Sequence, residues 1–471
     1  MKILHIMEKF YTGGPARSLI AAVKYARKLN LPQTHNLVIL TRFAYPPFLI
    51  QAKQAGIEII IRQPQEKRLH ELIGQADIVQ VHFWNSPLLY EFLRSQLPAM
   101  RLMLWLKVVG QHPPQTLTHR LIDFADKIVA TTPATGKLSV WETYPVEIQQ
   151  QKQAVVPGIA DFSRLLDCQP EPHDTFNVGY IGTVNFSKMY ARYVPMHSKI
   201  NIPNVKFIVC GGGIDELLAK QAQALGTADK FEFCGYRESI KPILSNLDVF
   251  GYPLCPDTYA TSEKSLQEAM YAGIPAVVFP HGGLKHLVQH EKTGLVVYSE
   301  SEYQQAIEFL YHHPQERKRL GQNAQRYAQE KFLPEMPTQQ MHQVYEQMLY
   351  QDKRVRRWPG TPTSRAEEFI ETLGENMNAF AESYRASSLT TAGHADQLIA
   401  QSSPLLAEGE GGITHYRNTY PDDCHLRFWS GLCLQAVGKE APAIAEFQAA
   451  IALGFPDERP LQYISDLEKS E

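Results

Sequence analysis

Short aliphatic and β-branched runs alternate with segments of helical spacing from the first residue onward. Residues 2–7, 36–41, 57–61, 77–82, 101–109, 127–131 and 154–156 read as strands, with helices between them such as 16–28 and 48–55. These runs are apolar nearly throughout instead of at every second position. That is the pattern of strands buried on both faces, in a parallel sheet covered by crossover helices. A polar, proline-bearing stretch, Asp167-Cys168-Gln169-Pro170-Glu171-Pro172-His173, interrupts the series. The alternation then resumes with strands at 177–181, 206–210, 230–233, 249–252, 276–279 and 294–297, and helices such as 213–225, 239–246 and 261–272. The pattern predicts an α/β protein of two Rossmann-like parallel-sheet domains, 1–165 and 166–352, facing a cleft.

Beyond residue 352 the pattern changes. A basic, Pro/Gly-containing linker at 353–370 precedes an all-α C-terminal extension, 371–471, in which no strand is predicted. In its last part Gly431, Ala443, Phe447 and Ala450 fall where a tetratricopeptide repeat places small, small, aromatic and small residues, with Gly438-Lys439 at the turn. A generic helical hairpin fits equally. The modular layout leads us to expect a tail that recruits a protein partner, stays out of the chemistry, and is dispensable for nucleotide binding.

Composition narrows the function. With 46 basic and 49 acidic residues in 471, the net charge of −3 carries no whole-protein nucleic-acid footprint. No apolar stretch reaches the ~20 residues of a membrane span, and the N-terminus lacks the pattern of a signal peptide. The six cysteines form no Cys-x-x-Cys pair, which argues against a zinc site and fits a reducing compartment. The expected location is the cytoplasm, with docking at the inner membrane surface left open.

Candidate chemistry gathers at the carboxyl ends of strands, where open α/β sheets bind ligands. Thr12-Gly13-Gly14-Pro15 joins the first strand to a helix, and its glycines let a ligand approach backbone N–H groups. His82 ends another strand, followed by Phe83-Trp84-Asn85, and Gly110-Gln111-His112-Pro113-Pro114 ends a neighbour expected to border the same cleft. In the second half, Gly182-Thr183 leads to Lys188, a compact cation suited to a diphosphate. The helix expected over 261–272 has Thr261 or Ser262 as N-cap, amides near Glu263 facing a phosphate, and Glu268 a turn later as a carboxylate for ribose hydroxyls. The bland alternative for Glu268 is an exposed ion pair with Lys264.

At these residues the sequence resembles the family 4 retaining glycosyltransferases of the GT-B fold, over about the first 345 residues. The resemblance rests on the order of several motifs: Gly13-Gly14, His82, Val156-Pro157-Gly158, Gly182 with Lys188, Glu268-Ala269-Met270, Gly282-Gly283 and Lys292-Thr293-Gly294. It implies a nucleotide diphosphate sugar donor, UDP- or GDP-linked, used without a metal or other cofactor. It further implies that Gly14 approaches the diphosphate, Lys188 neutralises it, Glu268 holds the ribose, Tyr236 and Arg237 lie near the base, and His82 lies near the transferred sugar. Two positions depart from the family pattern. Ala260 stands where a second glutamate is usual, with Glu263 a possible substitute, and Thr183 stands where an arginine is frequent. The acceptor is left as a glycan, a lipid or a protein. The same architecture also admits a sugar-nucleotide epimerase, a phosphorylase, or an inactive scaffold acting through the tail.

Overall fold

The computed structural model describes residues 1–374 and 378–469; the parts of the expected tail at 375–377 and 470–471 lie outside them. The first sheet has seven parallel strands: β1 (Lys2–Met7), β2 (Thr34–Ile39), β3 (Ile57–Arg62), β4 (Ile78–Phe83), β5 (Leu102–Leu106), β6 (Lys127–Ala130) and β7 (Gln153–Val155). Their order is β3-β2-β1-β4-β5-β6-β7. The second has six: β8 (Phe176–Ile181), β9 (Val205–Cys210), β10 (Phe231–Gly235), β11 (Val249–Tyr252), β12 (Ala276–Val278) and β13 (Gly294–Val296). These run in the order β10-β9-β8-β11-β12-β13. In both sheets the order reverses beside the first strand, which opens the crevice where such sheets take ligands. The central strands β4, β5 and β8 are buried along their whole length, as their unbroken apolar runs require.

The two units face each other directly. Val109 donates its amide to the Tyr259 carbonyl at 3.0 Å, and the hydroxyls of Thr131 and Thr261 lie 2.6 Å apart. The connection between the sheets passes so close to Ser262 that a Cβ on Gly158 would lie 1.9 Å from its hydroxyl, and any larger residue there would have to displace that side chain.

Two later segments return to the first unit. Met341, Tyr345 and Met348, on the helix Glu335–Leu349, pack with Ile3, Met103 and Trp105. Tyr345 also donates its hydroxyl to the buried Gln80 side chain. The basic stretch expected to be a linker is docked instead. Arg354 and Arg356 both pair with the buried carboxylate of Asp126, and Trp358 packs edge-on against Tyr90 and Phe124. The charges that read as a solvated tether serve to satisfy a buried acid.

The tail is helical, with no strand among the described residues. Its own core centres on Phe369, Phe380, Phe428, Trp429 and Phe447. The helices Cys424–Ala436 and Glu440–Ala452 form the expected hairpin, with Gly438 at φ +71° in the turn. A Cβ on Gly431 would lie 2.5 Å from the Phe447 ring, so the small residue is what lets these helices close.

Candidate functional site

A cleft of ≈ 930 Å³ opens between the carboxyl ends of the two sheets. Twelve of the residues singled out from the sequence line it: Gly13, Gly14 and His82 from the first unit, with Gly182, Thr183, Lys188, Tyr236, Arg237, Thr261, Ser262, Glu263 and Glu268 from the second. Two other expectations fail. His112 borders a separate cavity between the core and the tail, lined also by Asp257 and Phe380. The helix carrying Glu268 runs from Lys264 to Tyr271 with Glu263 as its N-cap, and neither Thr261 nor Ser262 caps it. Thr261 is engaged by Thr131 across the cleft instead.

The second unit presents its charges in pairs. Lys188 lies 2.7 Å from Glu263, whose carboxylate also accepts from the Tyr252 hydroxyl at 2.8 Å. Burial works against both charges, but their attraction outweighs it. Glu263 is held below the usual carboxylate range and Lys188 well above the usual lysine value. Glu268 is paired with Arg164, not with Lys264. Both guanidinium contacts, one of them at 3.1 Å, fall on Oε1 and leave Oε2 facing other chemistry. Lys264 stands across from the glycine turn, its Nζ 3.6 Å from where a Cβ on Gly14 would sit. Burial brings its pKa down to about 8, despite Glu263 and Glu268 nearby. Arg17 reaches from the first unit towards the Tyr236 hydroxyl at 3.5 Å, spanning the cleft near the expected base site.

The first unit presents bases that burial pushes towards their neutral forms. His82 is 3 % exposed, and burial, reinforced by Lys107 and His5, lowers its pKa well below the ordinary value. Its Nε2 lies 3.1 Å from His5 Nδ1, and His5 Nε2 lies 3.0 Å from His35 Nδ1, a file of imidazoles across β4, β1 and β2. His82 Nδ1 has no hydrogen-bond partner among the described residues. Lys107, just beyond β5, is 8 % exposed, and its Nζ lies 2.9 Å from the centre of the Trp105 ring, also without a hydrogen-bond partner. Burial, with Lys264 adding to it, lowers its pKa well below that of a free lysine.

Lys107, Arg164 and Arg17 were missed in the sequence reading, although Lys107 had a visible signal as the one charge within the otherwise apolar run 102–109. The structure also brings Glu408, Gly409 and Glu410 of the tail to the cleft wall, beside Glu8 and Lys9. No spacing rule links residues so far apart in the chain.

Comparison with known proteins fits this geometry. Residues 167–327 match the family described as Glycosyl transferases group 1. An uncharacterized glycosyltransferase of Methanocaldococcus jannaschii is 28% identical over 123 residues, 25% of this chain and 31% of that protein. The chain thus matches about a third of the length of that relative. Among solved structures, Anabaena HepE in complex with UDP superposes with a TM-score of 0.58 at 18% identity, covering 74% of this chain and 100% of that one. A glycosyltransferase from Rickettsia africae gives a TM-score of 0.61 at 14% identity, over 74% and 98% of the two chains. The pneumococcal O-GlcNAc transferase GtfA, in complex with UDP and GlcNAc, gives 0.57 at 11% identity, over 74% and 99%. The two-domain part of the chain has the GT-B fold, and most of its second unit matches the glycosyl transferases group 1 family.

Proposed function

We propose that the protein transfers a sugar from a nucleoside diphosphate sugar, UDP-linked in the first instance, to an acceptor hydroxyl, with retention of configuration and without a metal ion. One observation carries this reading: twelve residues chosen from separate motifs line a single cleft. The diphosphate is assigned to Lys188, Lys264 and the amides at Gly14 and Gly182. The ribose is assigned to Glu268 Oε2, with Arg164 holding the carboxylate in place. As the glycosidic bond breaks, negative charge grows on the leaving diphosphate, and fixed cations stabilise it without reorganising. Glu263 keeps Lys188 charged and positioned while the site is empty. His82 is neutral at physiological pH and offers Nδ1 to a hydroxyl of the transferred sugar. Donor complexes of HepE and GtfA with UDP support the choice of base. All six cysteines are free thiols, in keeping with action in the cytoplasm. No described helix is long and apolar enough to cross a membrane.

Calorimetry with UDP, GDP and ADP, followed by release of UDP from UDP-sugars in excess EDTA, tests the proposal. UDP binding with EDTA-resistant turnover is the expected result. No binding of any nucleotide at millimolar concentration would instead favour a scaffold.

A further inference from the structure

The tail reaches the cleft at one place, and that place is built. Gln115 donates to the Glu410 carbonyl at 2.6 Å, and Lys9 pairs with the Glu410 carboxylate. Gly411, at φ +76°, is seated so close that a Cβ there would lie 2.4 Å from the Asn85 carbonyl oxygen. Tyr416 donates to the Asn85 side chain at 3.4 Å. The segment is therefore fixed against the ends of β1 and β4 and forms part of the wall.

Its chemistry is opposite to that of the residues assigned to the diphosphate. Glu8, Glu408 and Glu410 line the cleft on the side of the first unit, with Lys9 already committed to Glu410, whereas Lys188 and Lys264 come from the second unit. The same cleft holds two buried donor or acceptor atoms without partners, His82 Nδ1 and Lys107 Nζ. Unpaired buried polar atoms are costly, and a bound ligand that satisfies them removes the cost.

A metal does not fit the cluster of Glu8, Glu410 and His415, although their ligand atoms lie within 4.8 Å of one another. His415 Nδ1 accepts the Gly411 amide at 3.0 Å, so the neutral ring carries its proton on Nε2, the atom 3.7 Å from Glu8. That nitrogen has no lone pair to offer a cation.

We propose that the Glu408–Glu410 segment is the acceptor-side wall of the cleft, and that Glu410 and Glu8 hydrogen-bond the hydroxyls of a neutral, polyhydroxylated acceptor while repelling an anionic one. The Glu410 carboxylate suits this task because it accepts bonds from two adjacent hydroxyls, and Glu8, whose pKa burial and Glu410 push up to about 7, can in its neutral form also donate one. The inference rests on the sugar-transfer reading above, but its test does not depend on turnover.

Saturation-transfer NMR on the full chain loaded with UDP compares methyl β-D-glucoside with methyl β-D-glucuronide. The glucoside should receive saturation and the glucuronide should receive little. In Glu410→Ala the glucoside signal should fall about tenfold, the size of one lost charge-assisted hydrogen bond. The glucuronide signal should rise in that variant, because Lys9 is released. Glu410→Gln, which keeps the shape, should retain the glucoside signal and lose the discrimination. Equal signals from the two glycosides in the wild type, no signal from the glucoside, or no change in Glu410→Ala overturns the proposal. Failure of UDP to bind is read separately by calorimetry and counts against the sugar-transfer reading itself.

Discussion

The two walls of the cleft hold basic side chains in opposite electrical states. At the second unit two cations have a counter-charge: Lys188 pairs with Glu263, and Arg164, in the segment between the sheets, pairs with Glu268. On the first unit His82 and Lys107 are buried with an unpartnered nitrogen each, and both pKa values fall. Burial disfavours charge equally on both sides, and the presence of a partner decides whether the charge survives. One wall thus holds its cations charged before an anion arrives, while on the other burial pushes the unpartnered bases towards neutral forms that can hydrogen-bond hydroxyls.

Removing residues 353–471 should break the comparison most severely. It strips Arg354 and Arg356 from Asp126, and uncovering a buried charge costs about 3–5 kcal/mol. The truncated protein is expected to unfold at lower denaturant and to lose the first wall, contrary to the dispensable tail that the sequence suggested. Circular dichroism in urea tests this; an unchanged midpoint would show that the tail is only appended. Next in size, Lys188→Ala should lower turnover by ~10²–10³-fold, the loss typical of one electrostatic stabiliser of the transition state. It also leaves Glu263 unpaired, so the double variant Lys188→Met/Glu263→Gln should regain stability without regaining turnover. Recovery of both would make the pair structural.

Glu268→Ala should weaken UDP binding by about 1.5–3 kcal/mol, the worth of a charge-assisted hydrogen bond, as calorimetry can measure. Unchanged affinity removes Glu268 from the ribose. On the other wall, Lys107→Met should leave the empty protein as stable as before or raise its melting temperature, since it deletes an unpartnered buried amine. It should still reduce transfer. A marked drop in melting temperature would mean that Lys107 has a structural partner. The smallest effect concerns pH. Lys264 titrates at about 8, and a bound diphosphate favours its ammonium form. Donor affinity should therefore fall as pH rises through about 8, with proton uptake on binding near that pH. A flat affinity between pH 7 and 9 would remove Lys264 from the phosphate site.

The sheets were legible because a strand buried on both faces must be apolar throughout, and each expected strand has a counterpart within a few residues of its predicted limits. The second wall was legible for a related reason: Gly182, Lys188 and Glu268 each follow closely on a strand or lie on one short helix, so local spacing places them. The first wall was only half legible. Gly14 and His82 end strands, but Lys107 sits inside a run that reads as strand, and its burial depends on Trp105 beneath it. Helix caps were misjudged because the hydroxyl of Thr261 is taken by Thr131, a long-range partner that no local rule includes. The docking of the basic stretch and the approach of Glu410 depend on surfaces assembled from distant segments. Net charge along the chain does not reveal which acid a base will meet.

The return of Tyr345 and Trp358 to the first unit has a consequence for the order in which the chain is made. β5 is synthesised early, yet the residues that cover it and its neighbours come from 341–358, after the whole second sheet. The N-terminal unit therefore leaves the ribosome with part of its apolar surface uncovered. It cannot complete its core until roughly three-quarters of the chain has been translated. Contacts so distant in sequence close slowly, and partly folded units expose adhesive surface meanwhile. Vectorial synthesis makes the first α/β unit to emerge the later of the two to be finished.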